Sequence, residues 1–240
     1  MIRKLVLLAL TLGAGYEPRG SREAQPPDPT GDAPGDAGDD ASVTERMRGQ
    51  FVDGAALEDA LVTGKVAVVN EVASRFVERH REQPFPDQWE AKVGPLMEWA
   101  QAAADAKDFE TAATAVANVS ARCGECHESE GVEIELPTVE PPDSAAQMQR
   151  YRFAVDRMWE GLVAPSDERW QQGAAAYVDA VDCKPIGPSK TVPEHHTMPC
   201  NTILAVAGAA RSAETMQARA DAYAAVTLNC AGCHGVERGS

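Results

Sequence analysis

Residues Phe109–His127 read FETAATAVANVSARCGECH, and residues Met216–His234 read MQARADAYAAVTLNCAGCH. The two stretches are equally long, lie 107 positions apart and close on the same Cys-x-x-Cys-His pattern. Both are rich in alanine and hold no glycine or proline before the first cysteine, so each reads as one continuous helix. In the first, Phe109, Ala112, Val116 and Val119 recur at helical spacing and turn Cys123 and Cys126 towards a core. Their small neighbours leave room there for a bulky group.

The pattern Cys123-Gly-Glu-Cys126-His127, repeated as Cys230-Ala-Gly-Cys233-His234, has the spacing of c-type haem attachment. Two thiols one helical turn apart bond the vinyl groups, and the adjacent histidine reaches the iron. A single copy would also suit a zinc site or a redox pair. Two copies, each closing a matching segment with histidine, favour two covalent haems. Cys123, Cys126, Cys230 and Cys233 are then the thioether sites, and His127 and His234 the proximal ligands.

Working outward, the duplication extends to the start of each half. An offset of 101 pairs Met47 with Met148, Gln50 with Tyr151, Gly54 with Val155, Leu57 with Met158 and Leu61 with Leu162. These positions follow a 3-4-3-4 spacing, the buried stripe of a helix. The offset grows to 107 through the Pro-rich run between Cys183 and Cys200. Four helices are expected in each half. In the first they fall near 42–63, 65–82, 88–106 and 108–127, with Ser42 and Glu45 as a capping box and Gly64 as a stop. In the second they fall near 144–163, 166–182, 201–213 and 215–234, with Ser166 and Asn201 as start signals. No segment alternates like a strand. The fold class is therefore all-α, two tandem four-helix bundles in up-down-up-down order. Residues 42–130 form the first domain, 131–143 a linker and 144–240 the second domain.

The N-terminus starts basic at Arg3 and Lys4, continues with an apolar run from Leu5 to Leu12 and ends in small residues. Residues 1–15 thus read as a signal peptide, too short in its apolar run to span a bilayer. Export agrees with haem attachment, which bacteria perform outside the cytoplasm, so the expected location is periplasmic or otherwise exported. Residues 16–41 are an acidic Pro/Gly-rich leader that cannot bury enough apolar surface to fold. The formal net charge is −15, and loss of Arg3 and Lys4 with the signal peptide makes it two units more acidic. Such a surface argues against nucleic acid and anionic membranes and favours a redox partner with a basic docking surface. No membrane span is expected in the mature protein.

A haem motif at the C-terminal end of a helical domain resembles the cytochrome c-prime and c-556 class, over residues 42–130 and again 144–238. It is also similar to bacterial cytochromes with M-x-x-H-F early in their first helix, where this chain reads Met47-Arg-Gly-Gln50-Phe51 and Met148-Gln-Arg-Tyr151-Arg152. The histidine is missing from both copies. By resemblance to c-556 proteins, a methionine such as Met47 or Met148 is an axial ligand; core packing is the competing role. Topology puts the end of helix 4 beside the start of helix 1 and the helix 2–3 connection. Met47, Gln50 and His80 then fall near His127, while Met148, Tyr151 and the loop with His195, His196 and Met198 fall near His234. His80, His195 and His196 are distal-ligand candidates, although His80 lies in a charged run that also suits a solvated face. Gln50 and Tyr151 could instead donate hydrogen bonds over a vacant iron position. Electron transfer between redox partners is therefore the expected function, with small-gas binding (nitric oxide or carbon monoxide) at a five-coordinate iron as the alternative. A dihaem peroxidase is a third class, although no distal acid–base pair is identifiable. Cys183 and Cys200 bracket the inserted loop and, in an exported protein, are expected to form a disulfide.

Overall fold

The computed structural model describes the backbone of residues 4–5, 37–142, 147–181 and 200–234, and side chains over 43–142, 147–181 and 201–230. Eight helices account for nearly all of it: α1 Ala37–Val62, α2 Val66–Glu82, α3 Glu90–Ala104, α4 Phe109–Glu130, α5 Gln147–Val163, α6 Asp167–Ala180, α7 Cys200–Arg211 and α8 Met216–His234. A 3-10 turn, Asp87–Trp89, leads into α3. The two strands among the described residues, β1 Lys4–Leu5 and β2 Glu133–Ile134, are two residues each and pair in parallel. The chain is all-α.

Local chemistry explains several helix ends. Gly64 adopts φ 73°, a left-handed conformation that closes α1 without a Cβ penalty. The Asp108 side chain accepts from the Thr111 N–H at 2.8 Å and Ser166 accepts from Arg169 N–H at 3.2 Å, capping α4 and α6. Two ends differ from the sequence expectation. Helix α1 begins at Ala37, so Ser42 and Glu45 lie within it and are not its capping box, and the last residues of the leader are helical. Helix α4 continues past His127 to Glu130, where Gly131 at φ 64° stops it.

Cross-helix bonds fix the direction of each helix. In the first half, Arg79 Nε donates to Asp53 Oδ2 at 2.9 Å, joining the end of α2 to α1. Asn70 Nδ2 donates to the Ala103 carbonyl at 2.8 Å, and Lys92 Nζ to Ser129 Oγ at 3.0 Å. The last two bonds each join the start of one helix to the end of the next, and Arg46 Nη1 of α1 donates to the Pro84 carbonyl just beyond α2 at 2.8 Å, so α2, α3 and α4 run alternately down, up and down from α1. In the second half, a Cβ on Gly161 would meet Trp170, and one on Gly173 would meet Met158, so α5 and α6 are antiparallel and in close contact. Trp170 Nε1 donates to the Ala210 carbonyl at 2.9 Å, bringing the end of α7 to the start of α6. Asp167 pairs with Arg219, and Asn229 Nδ2 donates to Tyr177 Oη at 3.1 Å, so α8 runs parallel to α6.

The halves meet along α4. Ser120 lies against Trp159, Gly124 against Leu162 and His127 against Val163, which makes α4 parallel to α5. Since α8 opposes α5, it also opposes α4, and its first residue Met216 lies beside Gly124. At about 1.5 Å per residue, the length of α8 puts His127 and His234 roughly 30 Å apart, at opposite ends of the molecule. Leu57, Phe76 and Val116 of the first half join Met158, Leu162 and Tyr223 of the second in one apolar core. Full burial of each such side chain contributes about 1.5–3 kcal/mol. No described helix is long and apolar enough to cross a membrane.

Candidate functional site

Met47, Gln50, Phe51 and Gly54 of α1, Phe76 of α2, Trp89, and Val119, Ser120, Cys123 and His127 of α4 line one cavity. Trp159 and Val163 of α5 complete its wall, so the second half closes a site that carries a motif of the first. The lining is almost wholly apolar, with the buried Gln50 amide as a polar exception.

Within this cavity His127 has a defined tautomer. Its Nδ1 lies 2.8 Å from the Val163 carbonyl oxygen, which can only accept, so Nδ1 carries the proton. Burial pushes the imidazole below its ordinary pKa, opposed by that hydrogen bond, and favours the neutral ring. Nε2 then keeps its lone pair. A metal-binding histidine is oriented in the same manner, by a carbonyl on its other nitrogen.

Cys123 shares the cavity, and burial pushes its thiol up to about 12. Cys126 does not line it. Its side chain opens on a depression formed with Lys92, Pro95, Arg122 and Glu125, where burial raises the thiol against the opposing charge of Lys92. Thiols held protonated are poor redox nucleophiles. Among the described residues no group of three His, Cys, Asp or Glu side chains is placed to hold a metal ion. His127 and Cys123 are the residues of the motif that would hold a haem in this cavity. Cys126 opens on the α3 side and does not line it.

Of the distal candidates in the first half, Met47 and Gln50 line the cavity and His80 does not. His80 stacks on Phe85 with ring centroids 5.8 Å apart, and Phe85 in turn lies 5.8 Å from the Trp89 ring of the cavity wall. The final turn of α2 carries it towards Met97 and Glu98 of α3.

In the second half, Met148 is 52 % exposed, so the buried stripe of α5 begins only after it. The Tyr151 ring is 5.5 Å from that of Tyr177, whose hydroxyl is bonded to Asn229, the residue before Cys230. His195, His196, Met198 and Cys183, with the side chains of Cys200, Cys233 and His234, lie outside the described residues.

No protein-family profile, curated protein or solved structure matches this chain. What it does must be argued from its own site. Trp159 and the Val163 carbonyl are the parts sequence reasoning missed. Neither carries a motif, and both come from the half that the repeat assigns elsewhere.

Proposed function

We propose that this chain is an exported dihaem c-type cytochrome that carries electrons between redox partners, each half being a four-helix haem domain. The observation that carries this is the cavity in which Cys123 and a neutral His127, fixed by Val163, face Met47 across apolar walls. Covalent haem supplies reversible one-electron chemistry at iron. The protein residues do the rest. His127 offers Nε2 as proximal ligand, Cys123 and Cys126 offer thioether positions, and Met47 is the sixth-ligand candidate. Phe51, Phe76, Trp89 and Trp159 exclude water. Cys230, Cys233 and His234 take the same roles at the far end of α8.

Because the two motifs lie at opposite ends, each haem would exchange electrons at its own pole rather than with a neighbour in contact. The acidic surface favours a basic partner at either pole.

Gln50 favours a second reading. A buried amide beside Met47 could hold a small gas at a five-coordinate iron if Met47 does not bind it. Denaturing mass spectrometry of protein made with a c-type maturation system tests the proposal: two retained haems are expected, and none would overturn it. The optical spectrum of the oxidised protein then separates low-spin electron transfer from high-spin gas binding.

A further inference from the structure

Two arginine–carboxylate clusters flank α5. On the α1 side Arg152 Nη2 donates to Glu58 Oε2 at 2.7 Å, and burial pushes Glu58 up to about 8 against that pull. Towards α6, Glu160 lies between Arg157 and Arg169, its side chain 10 % exposed. Arg157 donates to Glu160 Oε1, and Arg169 Nη1 stands 3.5 Å from Oε2. The other arm of Arg169 leaves the cluster. Its Nη2 donates to the carbonyls of Leu136 and Pro137 at 3.2 and 3.1 Å. A charged donor makes such bonds stronger than neutral ones.

Those carbonyls belong to the segment that joins the halves. Val132, Glu133, Ile134, Glu135 and Leu136 alternate apolar and acidic, and the structure follows the alternation. The three apolar residues are half-buried and the two acids exposed. Val132 and Ile134 line the first cavity with Cys123 and His127. After the turn at Gly131, the Val132 N–H donates to the His127 carbonyl at 2.9 Å. Residues expected only to connect two domains are thus a wall of the cavity. The backbone of His127 holds one end of that wall and Arg169 the other. The strand pairing between them is to Lys4 and Leu5, residues that export would remove.

We propose that residues 132–136 form a strap over the first cavity and that Arg169 is the positioning residue that latches it. This rests on reading Cys123 and His127 as a haem site. Arg169 does not line the cavity and acts through the strap. While latched, the strap keeps Val132 and Ile134 against whatever the cavity holds and keeps water out. The apolar shell of an iron site controls solvent access and, through it, the reduction potential. Entry of water favours the more highly charged oxidised iron and lowers that potential.

The test uses the holoprotein, its mass first showing haem at the first motif. A glutamate-specific protease reads the strap itself: Arg169→Leu should be cut at Glu133 or Glu135 several-fold faster than the native protein. Spectroelectrochemistry reads the site: one potential should fall in Arg169→Leu while the other stays level. Asn70→Ala removes bonds to the Ala103 and Ala106 carbonyls near the start of α4, and should move neither potential. Ile134→Ala thins the wall directly, so its fall and that of Arg169→Leu should be less than additive in the double variant. Arg169→Lys keeps the charge beside Glu160 without the planar fork, and serves if the Leu variant does not fold. A smaller fall of the same potential is expected there. Unmoved potentials in whichever Arg169 variant folds, even with faster cleavage, would overturn the inference and leave the cytochrome reading intact. So would an equal fall in Asn70→Ala, or full additivity with Ile134→Ala. A chain that acquires no haem at Cys123 would overturn both.

Discussion

The ring nitrogen Nδ1 of His127 donates to the main-chain oxygen of Val163 at 2.8 Å, so a motif residue of one half is oriented by the backbone of the other. Backbone oxygen cannot be deleted by substitution, but the approach of the two helices can be disturbed.

Gly124→Ala does this. Its Cβ would fall 2.0 Å from the Leu162 carbonyl oxygen, and backbone cannot step aside as a side chain can. Helix α4 must lift from α5, at a cost of about 1–3 kcal/mol or more. Gly94 of α3 has open space where its Cβ would stand, so Gly94→Ala should gain up to about 1 kcal/mol from helix propensity. Urea unfolding midpoints of the two variants are expected to move in opposite directions.

Trp159 packs on Phe51 and donates from Nε1 to Ser120 Oγ at 3.1 Å. Trp159→Phe keeps the ring contact and loses the bond, which should cost about 1 kcal/mol. Trp159→Ala opens the cavity wall and should cost about 3–5 kcal/mol. Equal losses in chemical denaturation would show that the indole N–H, not the ring, is what matters.

Stability should carry the signature of Glu58. Its folded pKa, about 8, lies above the ordinary 4.5, so the native state holds that proton more tightly than the unfolded chain. The associated stability is complete below about 4.5 and is lost as pH climbs through about 8. Glu58→Gln cannot ionise. The native protein should therefore lose ground to this variant as pH rises across that window, measured as the difference in unfolding free energy. A constant difference would place the proton elsewhere.

Met47 and His80 can be separated by spectrum. Met47→Ala should convert one oxidised haem from six- to five-coordinate and open it to carbon monoxide. His80→Ala should leave both haems as they were, because His80 faces α3 outside the cavity. An unchanged spectrum in Met47→Ala would make this methionine a packing residue.

Cys183 and Cys200 are expected to be joined. Closing the loop between them would contribute about 3 kcal/mol in the chain-entropy account. Non-reducing peptide maps should contain the linked pair, and two free thiols would end the idea. Replacing both with serine then asks whether the loop tunes the second haem.

Helix placement was legible because it rests on local chemistry: Gly64 and Ser166 mark ends in the sequence and in the fold alike. The cavity was only half legible. Helix order brings Met47 and Gln50 to the end of α4, and both line it with His127. His80 shares that end of the molecule yet turns to another helix, a difference of angle that sequence position does not reveal. Met148 follows the stripe spacing but sits in the first described turn of α5, beyond the neighbours that would cover it. Trp159 and Val163 were illegible for another reason. Their contacts depend on how two repeats dock, and no spacing within one repeat encodes that.

The reciprocal crossing, α4 against α5 and α1 against α8, has the form of a dimer written into a single chain. Two separate, identical copies joined about a two-fold axis would also have to place the same side chains at both ends of the α1–α5 contact. An aromatic pair at one would require an aromatic pair at the other. Covalent fusion removes that obligation. Phe51 with Trp159 at one end of the α1–α5 contact and Glu58 with Arg152 seven residues further along α1 is an asymmetry open only to a chain that is its own partner.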